Sequence, residues 1–167
     1  MNNSLASVTP NRDPKGLAGG RMAGFGIHLT LDLGECDSTR LSDLDRLFEL
    51  LNQLPEMLCM TRVTPPYVFK YSGKVPEDRG ITGFVVIAES HISIHTFQEK
   101  NYAFVDVFSC KAFDWNQAKT FIADCLGARN VVANMVIRGR DFPRPSSAQV
   151  ISSQALNCHH DERKERP

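Results

Sequence analysis

Residues 81–109 read ITGFVVIAESHISIHTFQEKNYAFVDVFS, and this stretch decides the fold. It contains three runs rich in β-branched and aromatic residues, which predict strands over residues 81–88, 91–97 and 102–109. The polar residues 98–101 separate the second run from the third and are typical of a tight turn. Short strands joined by such turns predict neighbouring antiparallel strands.

Four further strands and one polar loop are predicted from the flanking sequence. A strand over residues 24–33 alternates so that His28 and Thr30 share one face. The other three strands are expected over residues 57–64, 67–71 and 130–137. Residues 72–80 are polar and contain glycine and proline, so they predict the loop.

Two amphipathic helices are also predicted. One begins at a capping box formed by Ser42 and Asp45 and ends at Pro55. The other begins at the N-cap residue Asp114 and ends at Gly127. These elements together predict the α+β class, as a two-layer sandwich of an antiparallel sheet with two main helices on one face.

The chain has 167 residues, 42% of them apolar and 23% charged, which suffices for one domain with a hydrophobic core. We expect a single domain over residues 23–140, a disordered N-terminal extension over residues 1–22 and a polar tail over residues 141–167. The extension lacks the apolar segment of a secretory signal, and no apolar run approaches the roughly 20 residues that cross a bilayer. These features predict a cytoplasmic protein.

The net charge and the lack of a metal-ligand pattern argue against other classes of partner. The formal net charge of zero gives no electrostatic reason to expect nucleic acid or an anionic membrane surface as a partner. His159 and His160 follow Cys158, but further ligands at metal-binding spacing are lacking, so no metal is expected. The sequence therefore predicts a protein that binds neither nucleic acid, nor membrane, nor metal.

Counting residues across the predicted hairpin brings Ser90 close to Cys110. A turn centred near Glu99 or Lys100 makes the numbers of antiparallel partners sum to 199 or 200. Ser90 then lies opposite Ser109 or Cys110, which puts the Cys110 thiol beside it. Taken without this pairing, Cys110 is interpreted as a small hydrophobic residue at a strand end.

His95 and Thr82 lie too far along their strands to reach the Ser90 of the same chain easily. Five extended residues span roughly 16 Å, and odd spacing puts Ser90 and His95 on opposite faces. Either the chain bends sharply at Ser90, or His95 and Thr82 act on the Ser90 of a second copy. The second alternative, which we favour, predicts a symmetric homodimer with composite sites. His95 taken alone is interpreted as a half-buried strand histidine.

Residues 89–97, ESHISIHTF, followed by a strand that ends in FSC, resemble the prokaryotic type of pyruvoyl-dependent S-adenosylmethionine decarboxylase proenzyme. The pattern of that family is close to ESH, an aliphatic residue, Ser or Thr, IHT, an aromatic residue and PE, and then a strand ending in cysteine. The resemblance runs from about residue 26 to residue 140. It includes IHLTLDLGECD near the start and Thr82-Gly83 before the β run.

The resemblance implies a self-cleaving proenzyme whose cofactor is a pyruvoyl group generated from Ser90. Cleavage of the Glu89–Ser90 bond would separate a β chain, residues 1–89, from an α chain, residues 90–167. In this chemistry the Ser90 hydroxyl attacks the Glu89 carbonyl, and elimination from the resulting ester leads to the pyruvoyl group. That group forms a Schiff base with the substrate amine and takes up electrons when carbon dioxide leaves.

The resemblance also implies roles for neighbouring side chains. His95 matches the processing base, and Thr82 stands where the family has a processing serine. Cys110 matches the catalytic proton donor. Gln98 replaces the usual proline and Lys111 replaces a common glycine, and neither change removes a reactive group.

Substrate contacts are implied for three residues. Glu99 matches a carboxylate that holds ribose hydroxyls, with a charged residue of the turn as the simpler interpretation. Tyr71 matches an aromatic residue that stacks on adenine, with Phe69 as the alternative, and Glu89 flanks the reactive group. The 72–80 loop is longer than in the family and is expected to affect substrate choice.

The implied activity is conversion of S-adenosylmethionine, a small-molecule substrate, to S-adenosylmethioninamine for spermidine synthesis. Relatives of the family decarboxylate arginine or ornithine instead, so a pyruvoyl-dependent amino-acid decarboxylase is the alternative within the same chemistry. A non-catalytic partner subunit is a third interpretation. The joint presence of Ser90, His95 and Cys110 argues against it.

Overall fold

The computed structural model describes residues 24–143. The strands within this range are β1 (Gly26–Gly34), β2 (Thr61–Arg62), β3 (Tyr67–Tyr71), β4 (Gly80–Ala88), β5 (Ser90–Phe97), β6 (Tyr102–Ser109) and β7 (Asn130–Arg138). They form one antiparallel sheet in the order β2-β4-β5-β6-β1-β7, with β3 also pairing with β4. The expectations for residues 1–22 and for residues 144–167 of the tail, including His159 and His160, lie outside the described residues.

The helices of the described chain are α1 (Ser38–Leu41), α2 (Leu44–Met57) and α3 (Trp115–Leu126). Two 3-10 turns, Pro76–Asp78 and Gln98–Lys100, precede β4 and β6 respectively. The two longer helices, α2 and α3, pack together and against the sheet. The α+β two-layer sandwich predicted from the sequence is confirmed.

Alternation of side chains divides the sheet into two faces. Along β1, Leu29 and Leu31 are fully buried, whereas His28 and Thr30 are only partly buried. The buried face packs against the apolar sides of α2 and α3, and this packing forms the core. The largest fully buried side chains are Leu29, Leu31, Leu33, Leu41, Leu47, Leu50, Leu51, Leu54, Ile81, Ile87, Ile92 and Ile94.

The opposite side of the sheet, which carries Phe84, Phe104, Val132 and Val136, is called the open face. These four side chains keep 41% to 51% of their surface exposed. Residues paired directly across neighbouring strands share a face. One such row on the open face consists of His95, Phe104, Asp32 and Val132. The sheet therefore presents apolar side chains to solvent on the side away from its core.

Capping residues determine where the helices begin and end. Asp114 caps α3, and Gly127, at a φ of +65°, ends it, as predicted. The predicted start of α2 is wrong by one residue, because Asp43 rather than Ser42 is its N-cap. The Asp43 carboxylate accepts the backbone N–H of Arg46 at 3.1 Å, while the Ser42 hydroxyl donates within α1.

Pro55 does not end α2, contrary to the prediction, and the helix continues to Met57. A proline in the last turn removes only one backbone N–H, and the carbonyls of this turn remain satisfied. Leu58 donates to the Leu54 carbonyl at 3.1 Å, and Met60 donates to the Pro55 carbonyl at 2.8 Å. Because the helix extends further, the strand predicted to start at residue 57 is reduced to the two residues of β2.

Candidate functional site

Ser90 is the first residue of β5, and only Glu89 separates it from β4. The Ala88–Glu89 peptide is cis, and Ser90 has a φ of +138°. For a residue other than glycine, backbone in this region costs about 1–3 kcal/mol and persists only where the surroundings impose it. Here Ser90 pairs with Ile87 on one side and Ser109 on the other. Ser90 therefore has a strained backbone at a position that is paired on both sides.

The Ser90 hydroxyl is buried, and its oxygen has no hydrogen-bond partner among the described residues. Leaving such a group unsatisfied costs about 1–3 kcal/mol, so native structures contain few of them. Ser90 therefore has a strained backbone and a hydroxyl that lacks a hydrogen-bond partner within residues 24–143. Both features suit a nucleophile more than a structural serine.

Cys110 directly follows β6, and its backbone N–H donates to the carbonyl oxygen of Glu89 at 3.5 Å. The register pairs Ser90 with Ser109, so the hairpin predicted by residue counting is confirmed. Cys110 is a free, half-buried cysteine. The N–H of Lys111 donates to Ser109 Oγ at 3.1 Å and fixes the chain after the strand. We call Glu89, Ser90 and Cys110 the cleavage group, after the cleavage bond predicted between Glu89 and Ser90.

Thr82 and His95 face each other across β4 and β5, and we call them the histidine group. Thr82 Oγ1 and His95 Nδ1 are 3.1 Å apart, within hydrogen-bond distance. Thr82 is half-buried and His95 is exposed on the open face. A hydroxyl beside an imidazole can pass a proton in either direction.

The cleavage group and the histidine group lie at different positions along the hairpin. His95 is five residues beyond Ser90 on the continuous strand β5, a separation of roughly 16 Å along an extended chain. Ile92 and Ile94 are buried on the covered face, so the intervening strand keeps its regular alternation. Within one copy of the chain, the predicted processing base therefore stays away from the bond that it is predicted to act on.

Aromatic residues of β3 flank the histidine group. Phe69 lies directly opposite Thr82, whereas Tyr71 lies opposite Gly80. Tyr67 packs against Phe69 with ring centroids 5.7 Å apart. Aromatic faces of this kind suit stacking with a planar ligand. The strand register thus brings Phe69, the alternative to Tyr71, closer to the histidine group.

Glu99 lies in the 3-10 turn after β5 and forms an ion pair that the sequence did not predict. Arg79, the residue before β4, donates to Glu99 Oε1 from Nη2 at 2.5 Å and from Nε at 3.2 Å. These hydrogen bonds lower the pKa of Glu99 from its ordinary value of 4.5. The signal in the sequence is the order of the charges. Asp78-Arg79 and Glu99-Lys100 are each an acid followed by a base, and Asp78 pairs with Lys100 while Arg79 pairs with Glu99.

His28 and Asp106 form a second unpredicted pair, on the open face. His28 Nε2 and Asp106 Oδ1 are 3.1 Å apart, and the side chains are 21% and 35% exposed. The predicted sharing of one face by His28 and Thr30 is confirmed, since Thr30 pairs directly with Asp106. A polar pair therefore lies among the apolar side chains of this face.

Other features of residues 24–143 lie away from the two groups. In this range, three or more His, Cys, Asp or Glu side chains nowhere come together as metal ligands would. None of the helices there has the length and apolar character that a bilayer crossing requires.

A groove of about 590 Å³ between α2 and α3 is lined by Asp43, Asp45, Arg46, Glu49, Leu50, Gln53, Phe121, Asp124 and Cys125. It contains neither the cleavage group nor the histidine group.

Comparison with known proteins gives a consistent result. A family model described as S-adenosylmethionine decarboxylase matches residues 27–139. An S-adenosylmethionine decarboxylase proenzyme of Thermococcus onnurineus is 33% identical over 71% of this chain and 80% of its own length. One of Clostridium botulinum strain Loch Maree is 30% identical over 69% of this chain and 95% of its own. The crystal structure of the adenosylmethionine decarboxylase from Aquifex aeolicus VF5 aligns with a TM-score of 0.60 at 27% identity. That alignment covers 71% of this chain and 93% of the other.

Proposed function

Because this chain belongs to the S-adenosylmethionine decarboxylase family, we propose that it is a self-cleaving enzyme that removes carbon dioxide from S-adenosylmethionine. The observation that carries the proposal is Ser90, whose buried hydroxyl lacks a partner among the described residues and whose backbone is strained. In this proposal cleavage before Ser90 yields a β chain, residues 1–89, and an α chain, residues 90–167. We propose that residues 23–140 form one decarboxylase domain.

Self-cleavage begins when Ser90 Oγ attacks the carbonyl carbon of Glu89. The Glu89–Ser90 amide bond breaks and an ester forms between the two residues. Negative charge develops on the Glu89 oxygen during the attack, and the N–H of Cys110 already points at that atom. Its distance of 3.5 Å is long, and catalytic hydrogen bonds commonly tighten as charge develops.

Elimination from the ester then releases Glu89 with a free carboxylate and leaves a dehydroalanine at Ser90. Addition of one water and loss of one ammonia convert that residue to a pyruvoyl group. A base must take the α-proton of Ser90 in the elimination, and the imidazole of His95 is suited to this. Thr82, which contacts His95 at 3.1 Å, keeps the ring oriented.

The residues around Ser90 fit a pyruvoyl group. It supplies, when formed, a carbonyl that acts as an electron sink for decarboxylation of a bound amine. Formation of the pyruvoyl group removes the Ser90 hydroxyl. Because that hydroxyl has no hydrogen-bond partner among the described residues, its removal breaks no hydrogen bond among them. Cys110 is the adjacent half-buried thiol, and its role is to deliver a proton to the substrate carbon after carbon dioxide leaves.

The separation of the two groups supports a homodimer with composite sites. His95 and Thr82 of one copy act on the Ser90 of the other, since they are about 16 Å along the strand from their own. The open face has exposed apolar side chains, which supports the proposal that a second copy covers this face. A two-fold axis makes both sites equivalent.

The proposed substrate contacts are the residues that the family resemblance implies. Phe69 and Tyr71 offer aromatic faces for the adenine, and Glu99 offers a carboxylate for the ribose hydroxyls. Glu89 is exposed beside the reactive bond and is the third proposed substrate contact, after the aromatic residues and Glu99. The product would supply propylamine groups for spermidine synthesis, a cytoplasmic pathway.

The test is carbon dioxide release from carboxyl-labelled S-adenosylmethionine, arginine and ornithine by the purified chain, with Ser90→Ala as the control. We expect release from S-adenosylmethionine and none from Ser90→Ala. Release from arginine or ornithine instead would establish the alternative amino-acid decarboxylase. Absence of release from all three, or equal release by Ser90→Ala, would overturn the proposal.

A further inference from the structure

Arg79 engages only one oxygen of the Glu99 carboxylate. Both of its donors, Nη2 and Nε, contact Oε1, and the side-chain nitrogen of Gln98 lies 3.5 Å from the same atom. Oε2 accepts no hydrogen bond from the residues that the structure describes. Glu99 therefore has one oxygen held by the protein and the other available.

Packing of the adjoining strands fixes Arg79 and Glu99 relative to each other. Thr96, three residues before Glu99, is buried, and its hydroxyl oxygen accepts the N–H of Ile81 at 2.9 Å. Gly80 lies so close to the Thr96 carbonyl oxygen that a Cβ there would be only 1.7 Å from it. The start of β4 and the end of β5 are therefore in close contact, and Arg79 adjoins that contact.

A second ion pair ties the loop to the turn. Lys100 pairs with Asp78, so adjacent residues of the 72–80 loop contact adjacent residues of the 3-10 turn. In one pair the loop supplies the acid, Asp78, and in the other pair the turn supplies the acid, Glu99. Lys100 provides a matched control, because it joins the same two segments without contacting Glu99.

We propose that Arg79 is a positioning residue for substrate binding: by holding Oε1 of Glu99 it presents Oε2 to the ribose hydroxyls of the substrate. The inference rests on the proposed function, which assigns the ribose contact to Glu99. Two features support it. The guanidinium holds Oε1 from two nitrogens, Nη2 and Nε, which orients the carboxylate with Oε2 as the acceptor that the described residues leave free. It also restricts a side chain that is otherwise 43% exposed.

The experiment compares Arg79→Ala, Arg79→Lys and Lys100→Ala in the full-length, self-cleaved protein. Loss of a charge-assisted hydrogen bond to the carboxylate should raise KM for S-adenosylmethionine about tenfold in Arg79→Ala, with kcat and the extent of self-cleavage unchanged. Lys100→Ala should leave KM unchanged. Arg79→Lys should fall between wild type and Arg79→Ala, because it keeps the charge without the planar geometry.

Two further readouts separate positioning from general loop stability. Glu99→Gln should raise KM, and adding Arg79→Ala to it should have little further effect, because Arg79 acts through Glu99. The carboxyl carbon shift of Glu99, followed by NMR, should titrate at higher pH in Arg79→Ala than in wild type. The sign follows from the pKa, because the guanidinium lowers it and its removal raises it.

An unchanged KM in Arg79→Ala, or an equal rise in Lys100→Ala, would overturn the inference. If Arg79→Ala fails to cleave, Arg79→Lys decides: a KM equal to that of wild type contradicts the positioning role, and a raised KM supports it. Wild-type protein that neither cleaves nor releases carbon dioxide refutes the proposed function itself. A wild-type protein that does both, with variants that match it in KM, refutes only the role of Arg79.

Discussion

The backbone N–H of Cys110 donates to the carbonyl oxygen of Glu89 at 3.5 Å. This contact joins the end of β6 to the connection between β4 and β5. In the proposed mechanism the same residue offers two groups to two reactions, its backbone N–H to cleavage of the chain and its thiol to the substrate. A side-chain substitution can separate them, because it leaves the N–H in place.

Cys110→Ala should therefore cleave normally but decarboxylate S-adenosylmethionine slowly. Removing a proton donor should lower kcat by about 10²–10⁴-fold. Mass spectrometry measures the cleavage, and carbon dioxide release from the separated, processed protein measures the decarboxylation. Full activity in Cys110→Ala would contradict the proton-donor role, and loss of cleavage would show that the side chain also serves processing.

Composite sites predict complementation between two inactive chains. Neither Ser90→Ala nor His95→Ala should cleave alone. When the two are unfolded together and refolded, each mixed dimer combines an intact Ser90 with an intact His95 from the other copy. Roughly half of the His95→Ala chains should then cleave, since random pairing puts about half of them in mixed dimers.

The identity of the cleaved chain is the control in that mixture. Every 90–167 fragment should carry the His95→Ala substitution, because only that chain keeps its own Ser90. Absence of cleavage in the mixture, with mixed dimers demonstrated by mass, would show that each site is built within one chain.

The open face should be the surface on which two copies pair. Phe104 is 41% exposed there and packs against Phe97 and Tyr102. Phe104→Asp should weaken the dimer by about tenfold or more, because it places a charge in an apolar contact. Phe48 on α2 is similarly exposed, at 37%, so Phe48→Asp is the matched control. Analytical ultracentrifugation measures both, and an unaltered dimer in Phe104→Asp would rule out this face.

Thr96 should be needed for stability through its hydroxyl. It is buried, donates to the Leu41 carbonyl at 2.9 Å and accepts the N–H of Ile81 at the same distance. Thr96→Val keeps the shape but leaves both backbone groups unsatisfied, which should lower the free energy of unfolding by about 1–3 kcal/mol. Thr96→Ser, which retains the hydroxyl, should lose less. Urea denaturation measures the difference, and equal losses in the two variants would contradict the account.

The register of the central hairpin was predictable because it depends on the position of one turn. Residues 98–101 are polar and the runs on either side alternate, so counting limited the partner of Ser90 to Ser109 or Cys110, and the structure shows Ser109. The end of α2 was not predictable in this way. Pro55 is a helix breaker by local preference, yet its burial in the core and the satisfied carbonyls around it extend the helix by two residues.

The candidate site was predictable where a motif or a short hairpin determines it, and not where separate segments meet. The sequence indicated Ser90, His95 and Cys110 as candidate residues, but gave no sign of the positive φ at Ser90, where β5 begins directly after the connection from β4. Arg79 was missed because its contact with Glu99 depends on how the 72–80 loop returns to the sheet.

The most direct test of the account is the mass of the purified wild-type chain under denaturing conditions, beside that of Ser90→Ala. Self-cleavage before Ser90 predicts two wild-type fragments. One corresponds to residues 1–89 with a free carboxylate, and the other to residues 90–167 with a pyruvoyl group in place of Ser90. Ser90→Ala should remain a single chain. A wild-type chain that stays intact on prolonged incubation would contradict self-cleavage at Ser90.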